Sequence, residues 1–286
     1  MESVTVQEAA QDNAAGFWWA QARALGLQTR STEAWVAVRC AGDGPDSHRV
    51  VVTRPYPDAA ALAAELAGLH REWGDGPLCV EDAYGRLDLA PYGFEAALPQ
   101  AVMVREPDST VSRPGFGASS GGAAAGGWRE RHSWELRRES TAEEAPVVRE
   151  ASDADGLAVV ERTVVEGFPL PSRLPWRRAG LLPPALLGEP GLRAWEVRRQ
   201  GAAAGACVSY DDGESVGLYW VATLPEHRSR GVGRALLETV LAAHPGRPAV
   251  LTATLLGEPL YRRLGFTERA LSRWWRAQAA PADAGR

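Results

Sequence analysis

The chain has 286 residues, of which 45% are hydrophobic and 23% charged. This length corresponds to about two domains of ordinary size, and this composition excludes a wholly disordered or fibrous protein. The net charge of −5 at pH 7 is not that of a general nucleic-acid binder. No uncharged apolar run approaches the roughly 18 residues of a spanning helix, and the start MESVTVQEAAQDN does not resemble a signal peptide. We therefore expect a cytoplasmic protein that binds neither nucleic acid nor membrane.

Two residue types narrow the chemistry further. The chain contains no lysine, so its 31 basic residues are all arginines, which excludes Schiff-base and P-loop lysine mechanisms. Cys40, Cys79 and Cys207 are too widely spaced for a zinc knuckle or a redox pair. We expect buried, reduced thiols and no metal site.

A stretch rich in Gly, Ser, Ala and Pro at 108–127 interrupts the periodic apolar pattern. It predicts a first domain over 1–107, a linker and connecting segment over 108–145, and a second domain over 146–286. In the first domain the pattern predicts strands at 4–6, 35–39, 50–53 and 101–104, and helices at 12–25 and, capped by Asp58, up to His70. In the second it predicts strands at 147–149, 195–199, 203–210, 216–223, 249–254 and 271–276, and helices from a Ser152 cap to 166, at 231–243 and at 258–264.

The two halves end alike. When the Gly-Phe pair at 93–94 is aligned with the pair at 265–266, positions 102–103 fall opposite 274–275. We interpret this as an internal duplication in which each half begins with a Val-rich strand and an Asp-containing helix start. Chance resemblance is the alternative.

The most informative segment joins the strand predicted at 216–223 to the helix predicted at 231–243. It carries Arg228-x-x-Gly231-x-Gly233, and unpaired N–H groups at a helix N-terminus favour an anion. Glycines allow the backbone to approach a pyrophosphate closely. The pattern lacks the third glycine of a dinucleotide fingerprint and the lysine of a P-loop. An ordinary glycine-rich turn with solvated arginines is the alternative.

Further along the chain, after the strand predicted at 249–254, comes YRRLGF at 261–266. Two segments of the chain together resemble the GNAT superfamily of acetyl-CoA-dependent N-acetyltransferases. They are VATLPEHRSRGVGRALL at 221–237 and TATLLGEPLYRRLGF at 252–266. The resemblance implies an α/β (α+β) fold with two GNAT-like domains, each a central mixed, mostly antiparallel sheet flanked by helices. It implies that the second domain is catalytic. The first domain, which lacks an R-x-x-G-x-G pattern, resembles the degenerate half of tandem GNAT proteins.

The resemblance also implies roles for individual residues. The backbone of one strand end would pair with the pantetheine arm of acetyl-CoA, and the following loop amides would hold its pyrophosphate; these are Val221, Ala222 and Thr223, then Arg228, Ser229, Arg230, Gly231, Val232, Gly233 and Arg234. The side chains of Arg228 and Arg230 would add charge-assisted contacts to phosphate. A backbone N–H near Val221 or Ala222 would meet the developing oxyanion. Tyr261 would protonate the departing thiolate, with simple packing beside Phe266 as the alternative.

The general base stays open. Glu214 and Tyr219 on the strand leading to the loop, and Glu166 at the end of a helix, are the candidates, directly or through water. His227 stands next to Arg228 and is expected to face phosphate rather than to act as the base. Where many GNAT proteins carry an asparagine before the tyrosine, this chain has Leu-Leu-Gly-Glu at 255–258.

The sequence is compatible with three functions. The first is transfer of an acetyl group from acetyl-CoA to an amine of a small molecule or peptide, with an acceptor site shaped by 156–190. The second is a non-catalytic coenzyme A or acyl-CoA binding module. The third makes the first half a partner-binding or homodimer surface, on the basis of Phe17, Trp18, Trp19 and Trp35.

Overall fold

The computed structural model describes residues 5–40, 48–74, 76–107, 145–168 and 170–278. The glycine-rich stretch at 108–127 lies outside the described residues. None of the described helices is both long and apolar enough to cross a membrane.

The first half is built around a long helix and a short sheet. Its elements are α1 (Val6–Leu25), β1 (Gln28–Ser31), β2 (Trp35–Arg39), β3 (His48–Val52), α2 (Ala59–Trp73), β4 (Leu78–Asp82), β5 (Glu95–Ala96) and β6 (Gln100–Arg105). The cap predicted for α2 is confirmed, because the Asp58 carboxylate accepts the N–H of Ala61 at 2.9 Å.

The strand predicted at 4–6 is wrong where the structure describes it. Thr5 is the N-cap of α1, and it forms a capping box with Glu8: the Glu8 N–H donates to Thr5 Oγ1 and the Thr5 N–H donates to Glu8 Oε2. The helix therefore starts at Val6, well before the predicted start at residue 12. From Thr5 onward, the first half does not open with the strand that the duplication hypothesis assumed.

The second half follows the predicted order of elements closely. They are β7 (Val147–Glu150), α3 (Ala154–Gly167), β8 (Leu192–Arg199), β9 (Ala202–Asp211), β10 (Val216–Thr223), α4 (Val232–Ala242), β11 (Ala249–Ala253), α5 (Glu258–Arg263) and β12 (Thr267–Ala277). The cap of α3 is Asp153 rather than the predicted Ser152, since the Asp153 carboxylate accepts the N–H groups of Asp155 and Gly156.

Twelve strands of the described chain form one hydrogen-bonded sheet in the order β1-β2-β3-β4-β12-β6-β11-β10-β9-β8-β7, with β5 paired to β12. The pairs are antiparallel except β3–β4 and β10–β11. The helices flank this sheet, and the predicted mixed, mostly antiparallel α/β class is confirmed.

The two halves exchange their last strands. Strand β6 of the first half lies between β11 and the start of β12, with Met103 opposite Leu251. The end of β12 lies between β4 and β5 of the first half, with Trp275 opposite Val80 and Ala96. These are the segments that the alignment of the two Gly-Phe pairs brought together, and the glycines before them, Gly93 and Gly265, have φ of +83° and +86°. The limits predicted at 107 and 146 therefore divide the sequence but not the hydrogen-bonded sheet.

Helix α1 joins the halves on one face of the sheet. It contacts β2 and β3 of the first half and β9, β10 and β11 of the second. Phe17 is buried in the same apolar cluster as Leu157 and Val160 of α3. The first half thus contributes directly to the packing around β10, the strand that leads to the Arg-x-x-Gly-x-Gly motif.

Candidate active site

The parallel strands β10 and β11 separate after two residue pairs. They are in register only at Val216–Ala249 and Gly217–Val250, whereas β10 stays paired with β9 as far as Thr223. A bulge lies between Tyr219 and Ala222, and at its centre Trp220 has a φ of +53°, a conformation that costs energy in a non-glycine residue. Beyond the bulge, β10 therefore presents a backbone edge to which an extended ligand can add.

Backbone amides without acceptors follow this edge. Helix α4 starts at Gly231, which has a φ of +77° and no side-chain cap, and the first bond of its first turn is from the Ala235 N–H to the Gly231 carbonyl, at 2.9 Å. Several N–H groups of the loop and first turn have no hydrogen-bond acceptor among the described residues; they belong to Ser229, Gly231, Val232, Gly233 and Arg234. Such a group of donors at the positive end of a helix can bind an anion.

Both glycines of the motif are required by geometry. Gly231 has the left-handed backbone conformation that favours glycine. A Cβ at Gly233 would lie 3.0 Å from Cδ2 of Leu260 and 3.5 Å from Oγ1 of Thr223. Gly231 is therefore required by the backbone conformation, and Gly233 by the close packing of α4 against β10 and α5.

The arginine side chains of the motif bind protein groups. Arg228 donates from Nε to the Thr223 carbonyl and from Nη2 to the Gly167 carbonyl, both at 3.2 Å, and Arg234 is paired with Glu238 at 2.8 Å. Arg228 thus fixes the loop between β10 and the end of α3, rather than pointing to phosphate as the resemblance implied. The main-chain amides, rather than the side chains of Arg228 and Arg234, are thus the groups left to bind an anion.

In the first half, the strand pair β3–β4 and helix α2 correspond to β10–β11 and α4, but these two strands do not separate. Strands β3 and β4 stay paired over four residues, from His48–Leu78 to Val51–Glu81, so no open edge forms between them. The Asp58 carboxylate occupies the N-terminus of α2. A carboxylate there satisfies the amide and repels phosphate, so the N-terminus of α2 does not offer the acceptor-free amides found at α4.

Tyr261 lies on α5 and is 7% exposed. Its ring meets Phe266 edge-on at 5.8 Å and covers Gly257, where a Cβ would lie 2.8 Å from the ring. It shares an apolar cluster with Val221 at the bulge. Burial raises the pKa of the phenol, and its hydroxyl makes no hydrogen bond to another described residue. At neutral pH the Tyr261 hydroxyl therefore keeps its proton and can donate it to a ligand.

The two candidate bases of the β10 strand differ in position. The Tyr219 hydroxyl donates to Oδ1 of Asn13 at 2.6 Å, and its ring stacks on Phe17 at 3.8 Å; burial raises its pKa well above the ordinary value. Glu214 is exposed in the hairpin turn before β10, about 23 Å from Val221 along an extended strand. The structure brings Tyr219 to the bulge and leaves Glu214 at the other end of the strand.

The third candidate base, Glu166, and the histidine next to the loop, His227, differ in their partners. Glu166 is ion-paired with Arg162 at 2.7 Å on the surface of α3. His227 lies in the short turn Pro225–His227 beside the loop, and its Nδ1 is buried without a partner among the described residues. Neither position identifies a general base.

Aromatic side chains line the α1 and α3 side of the bulge. The Trp220 ring packs edge-on against two others, with ring centroids 5.8 Å apart for Phe168 and 5.7 Å apart for Trp18. One helical turn before Phe168, Val165 lines a partly open cavity of about 270 Å³, together with residues 172–177, including Trp176. This cavity lies within the 156–190 region expected to shape the acceptor site.

A buried carboxylate holds the wall of that cavity. Glu161 on α3 is fully buried and accepts four hydrogen bonds, from the N–H groups of Ala179, Leu181 and Leu182 and from Nε1 of Trp176, at 2.6–3.2 Å. With four donors, the carboxylate is satisfied without a cation. Glu161 therefore fixes the shape of the 176–182 segment.

Sequence reasoning missed Asn13, Trp220 and Glu161. Asn13 and Glu161 each stand among apolar residues on the buried face of a helix, and this polar residue at a core position was the available signal. No sequence signal marked the strained backbone of Trp220. Among the residues that the structure describes, no group of three or more side chains that could hold a metal ion is found.

One family match covers this part of the chain. Residues 190–268 match the family model described as an acetyltransferase (GNAT) domain, a range that contains the bulge, the amide loop and Tyr261. No match was found among curated protein sequences.

Solved structures match over most of the chain. A GCN5-related N-acetyltransferase from Kribbella flavida aligns with a TM-score of 0.60 at 16% identity, covering 99% of this chain and 98% of its own. A GCN5-related N-acetyltransferase from Sphaerobacter thermophilus aligns at 0.55 with 16% identity, covering 87% and 78%. A functionally unknown conserved protein from Staphylococcus epidermidis ATCC 12228 aligns at 0.55 with 9% identity, covering 88% and 94%. At these identities the likeness concerns the fold, and the domain match shows that residues 190–268 are similar to a GNAT acetyltransferase domain.

Proposed function

We propose that the chain transfers an acetyl group from acetyl-CoA to an amine of a small molecule or peptide. The observation that carries the proposal is the group of acceptor-free amides from Gly231 to Arg234, directly after a strand that has separated from its neighbour. A pyrophosphate fits the amides, and a pantetheine arm fits the open edge at Val221–Thr223 by strand addition. Gly231 and Gly233 leave the approach to these amides free of side-chain atoms.

The residues at the bulge supply the rest of the chemistry. The amine nitrogen bonds to the thioester carbonyl carbon, the C–S bond breaks, and the nitrogen gives up a proton to solvent. A backbone N–H at Val221 or Ala222 stabilises the negative charge on the carbonyl oxygen. Tyr261 gives its hydroxyl proton to the departing sulfur and regains one from water; its raised pKa keeps it protonated at neutral pH.

The acceptor enters from the side of α1 and α3. Trp220, Phe168 and Trp18 form an apolar wall there, and the cavity next to Val165 gives room for the body of a small amine. Acetyl-CoA approaches the bulge from the α4 side, so the two substrates meet at the separated strands.

A thiol-release assay with acetyl-CoA and a panel of amines tests the proposal. Tyr261→Phe is expected to lower kcat by about 100-fold, the usual contribution of a general acid, without changing the affinity for acetyl-CoA. Tyr92→Phe, at an exposed tyrosine of the first half, is the matched control and should retain the wild-type rate. Tight coenzyme binding without thiol release on any amine would contradict acetyl transfer and favour a binding module.

A further inference from the structure

Asn13 is a fully buried amide that joins the first half of the chain to the β9–β10 hairpin of the second. Its Nδ2 lies within 3.2 Å of four acceptors, namely the carbonyls of Tyr210 and Ser215, Oγ of Ser215 and Oδ2 of Asp212. Its Oδ1 accepts the Tyr219 hydroxyl at 2.6 Å. One side chain of α1 thus binds three residues around the turn and one on β10.

Space for this amide is built into β10. A Cβ at Gly217 would lie 2.0 Å from Oδ1 of Asn13 and 2.5 Å from the Tyr219 hydroxyl. Tyr219 is the last residue of β10 in register with β9 before the bulge. Its ring is also clamped by Phe17 of α1, which is stacked at 3.8 Å and nearly parallel. Two residues of α1 therefore determine where Tyr219 stands.

The position of Tyr219 sets the start of the bulge. Trp220 follows it directly in a strained conformation, and Trp18 of the same helix packs against the Trp220 ring. Strained backbone persists only where its surroundings hold it. The N–H groups that face the reacting carbonyl come directly after Trp220, so a shift at Tyr219 moves them.

We infer that Asn13 is a positioning residue of the transferase site: through its hydrogen bond to Tyr219 it holds the β10 bulge in the shape that aims the oxyanion-binding N–H. The inference rests on the proposed function. It makes the first half an obligatory part of the active site although the described residues of that half form no open strand edge between β3 and β4. It also gives Tyr219 a structural hydrogen bond in place of the role of general base.

The experiment compares Asn13→Ala, Tyr219→Phe and the double variant in steady-state acetyl transfer, at a temperature well below the unfolding transition of each. Tyr219→Phe deletes one hydroxyl and keeps the ring on Phe17, so it tests the bond even if Asn13→Ala does not fold. Tyr210→Phe is the matched control, because the Tyr210 hydroxyl lies beside Gly16 of the same helix and takes no part in the Asn13 bonds.

Each single variant is expected to lower kcat by about tenfold, the order expected when reacting groups are misplaced by a fraction of an ångström. The KM for acetyl-CoA should change by less than about twofold, because the amides of the α4 N-terminus are not touched. The double variant should lose no more than Asn13→Ala alone, since Asn13→Ala already breaks the bond that Tyr219→Phe removes. Tyr210→Phe should match the wild type in kcat and KM.

Three results would overturn the inference. The first is a kcat within twofold of wild type for Tyr219→Phe. The second is loss in Tyr219→Phe with full activity in a folded Asn13→Ala, which would assign Tyr219 a chemical role of its own. The third is multiplication of the two losses in the double variant. Failure of the proposed function is distinguishable, because the wild type itself would then release no thiol with any amine.

Discussion

The exchange of strands predicts that the two halves unfold together, and Trp275→Ala tests this. Trp275 belongs to β12 of the second half, but its side chain is 6% exposed in the core of the first half, with Leu66, Leu78 and Val80. Truncating a buried tryptophan costs about 3–5 kcal/mol. Its indole N–H has no acceptor among the described residues, so the truncation also removes an unsatisfied buried donor. We therefore expect the lower end of this range, a loss of about 3 kcal/mol in the free energy of unfolding. For a chain of this size the midpoint should fall by about 6 °C.

Scanning calorimetry combined with hydrogen exchange is the assay. We expect one transition, shifted as a whole, with protection lost equally in α2 of the first half and α4 of the second. Arg273→Ala, at an exposed position on the same strand, is the control and should move the midpoint by less than about 1 °C. Two separate transitions, of which only that of the first half moves, would refute the reasoning.

The fold and its charges give two further predictions. Gly217→Ala should lower the free energy of unfolding by roughly 3 kcal/mol, because the added methyl group overpacks against Asn13 and breaks buried hydrogen bonds. Gly188→Ala should have little effect, because a Cβ there meets nothing within 4 Å. Equal urea midpoints for the two variants would contradict this prediction. Burial, and next the charge of Arg193, hold the pKa of His244 below its ordinary 6.5. The unfolded chain therefore takes up the proton first, so the contribution of His244 to stability is complete above pH 6.5 and is lost as the pH falls through the lowered pKa of the folded state. Urea unfolding at pH 7.5 and 5.5 should show a smaller difference for His244→Gln than for the wild type, and identical differences would contradict the assignment.

The sequence predicted local elements well where the signals were local. Strand β10 was predicted over its observed range, Val216–Thr223, and Asp58 as the cap of α2. The error at 4–6 was avoidable, because Thr5 and Glu8 have the spacing of a capping box. Strand β1 was missed because Gln-Thr-Arg-Ser at 28–31 has no apolar face.

The remaining features depend on contacts between residues far apart in the chain. Aligning the two Gly-Phe pairs related β6 to the end of β12, but it could not reveal that the two strands change places, since pairing partners leave no mark in a single sequence. Asn13 was part of a correctly predicted helix, yet its partners lie in the other half of the chain. The amide loop could be predicted because glycines and an arginine at this fixed spacing are typical of a loop whose backbone N–H groups are exposed at a helix N-terminus.

Calorimetric titration of acetyl-CoA into the wild type, Gly231→Glu and Gly246→Glu tests the central claim most directly. Gly231 and Gly246 have φ of +77° and +78°, and a Cβ meets nothing within 4 Å at either, so the two variants carry equal backbone strain and equal charge. Only Gly231 stands at the N-terminus of α4, where a carboxylate repels the pyrophosphate and competes for its amides. We expect the wild type and Gly246→Glu to bind with similar affinity and Gly231→Glu to lose binding by at least about 100-fold, or roughly 2.7 kcal/mol. Equal binding by all three proteins, or no binding by the wild type, would contradict a coenzyme site at this helix.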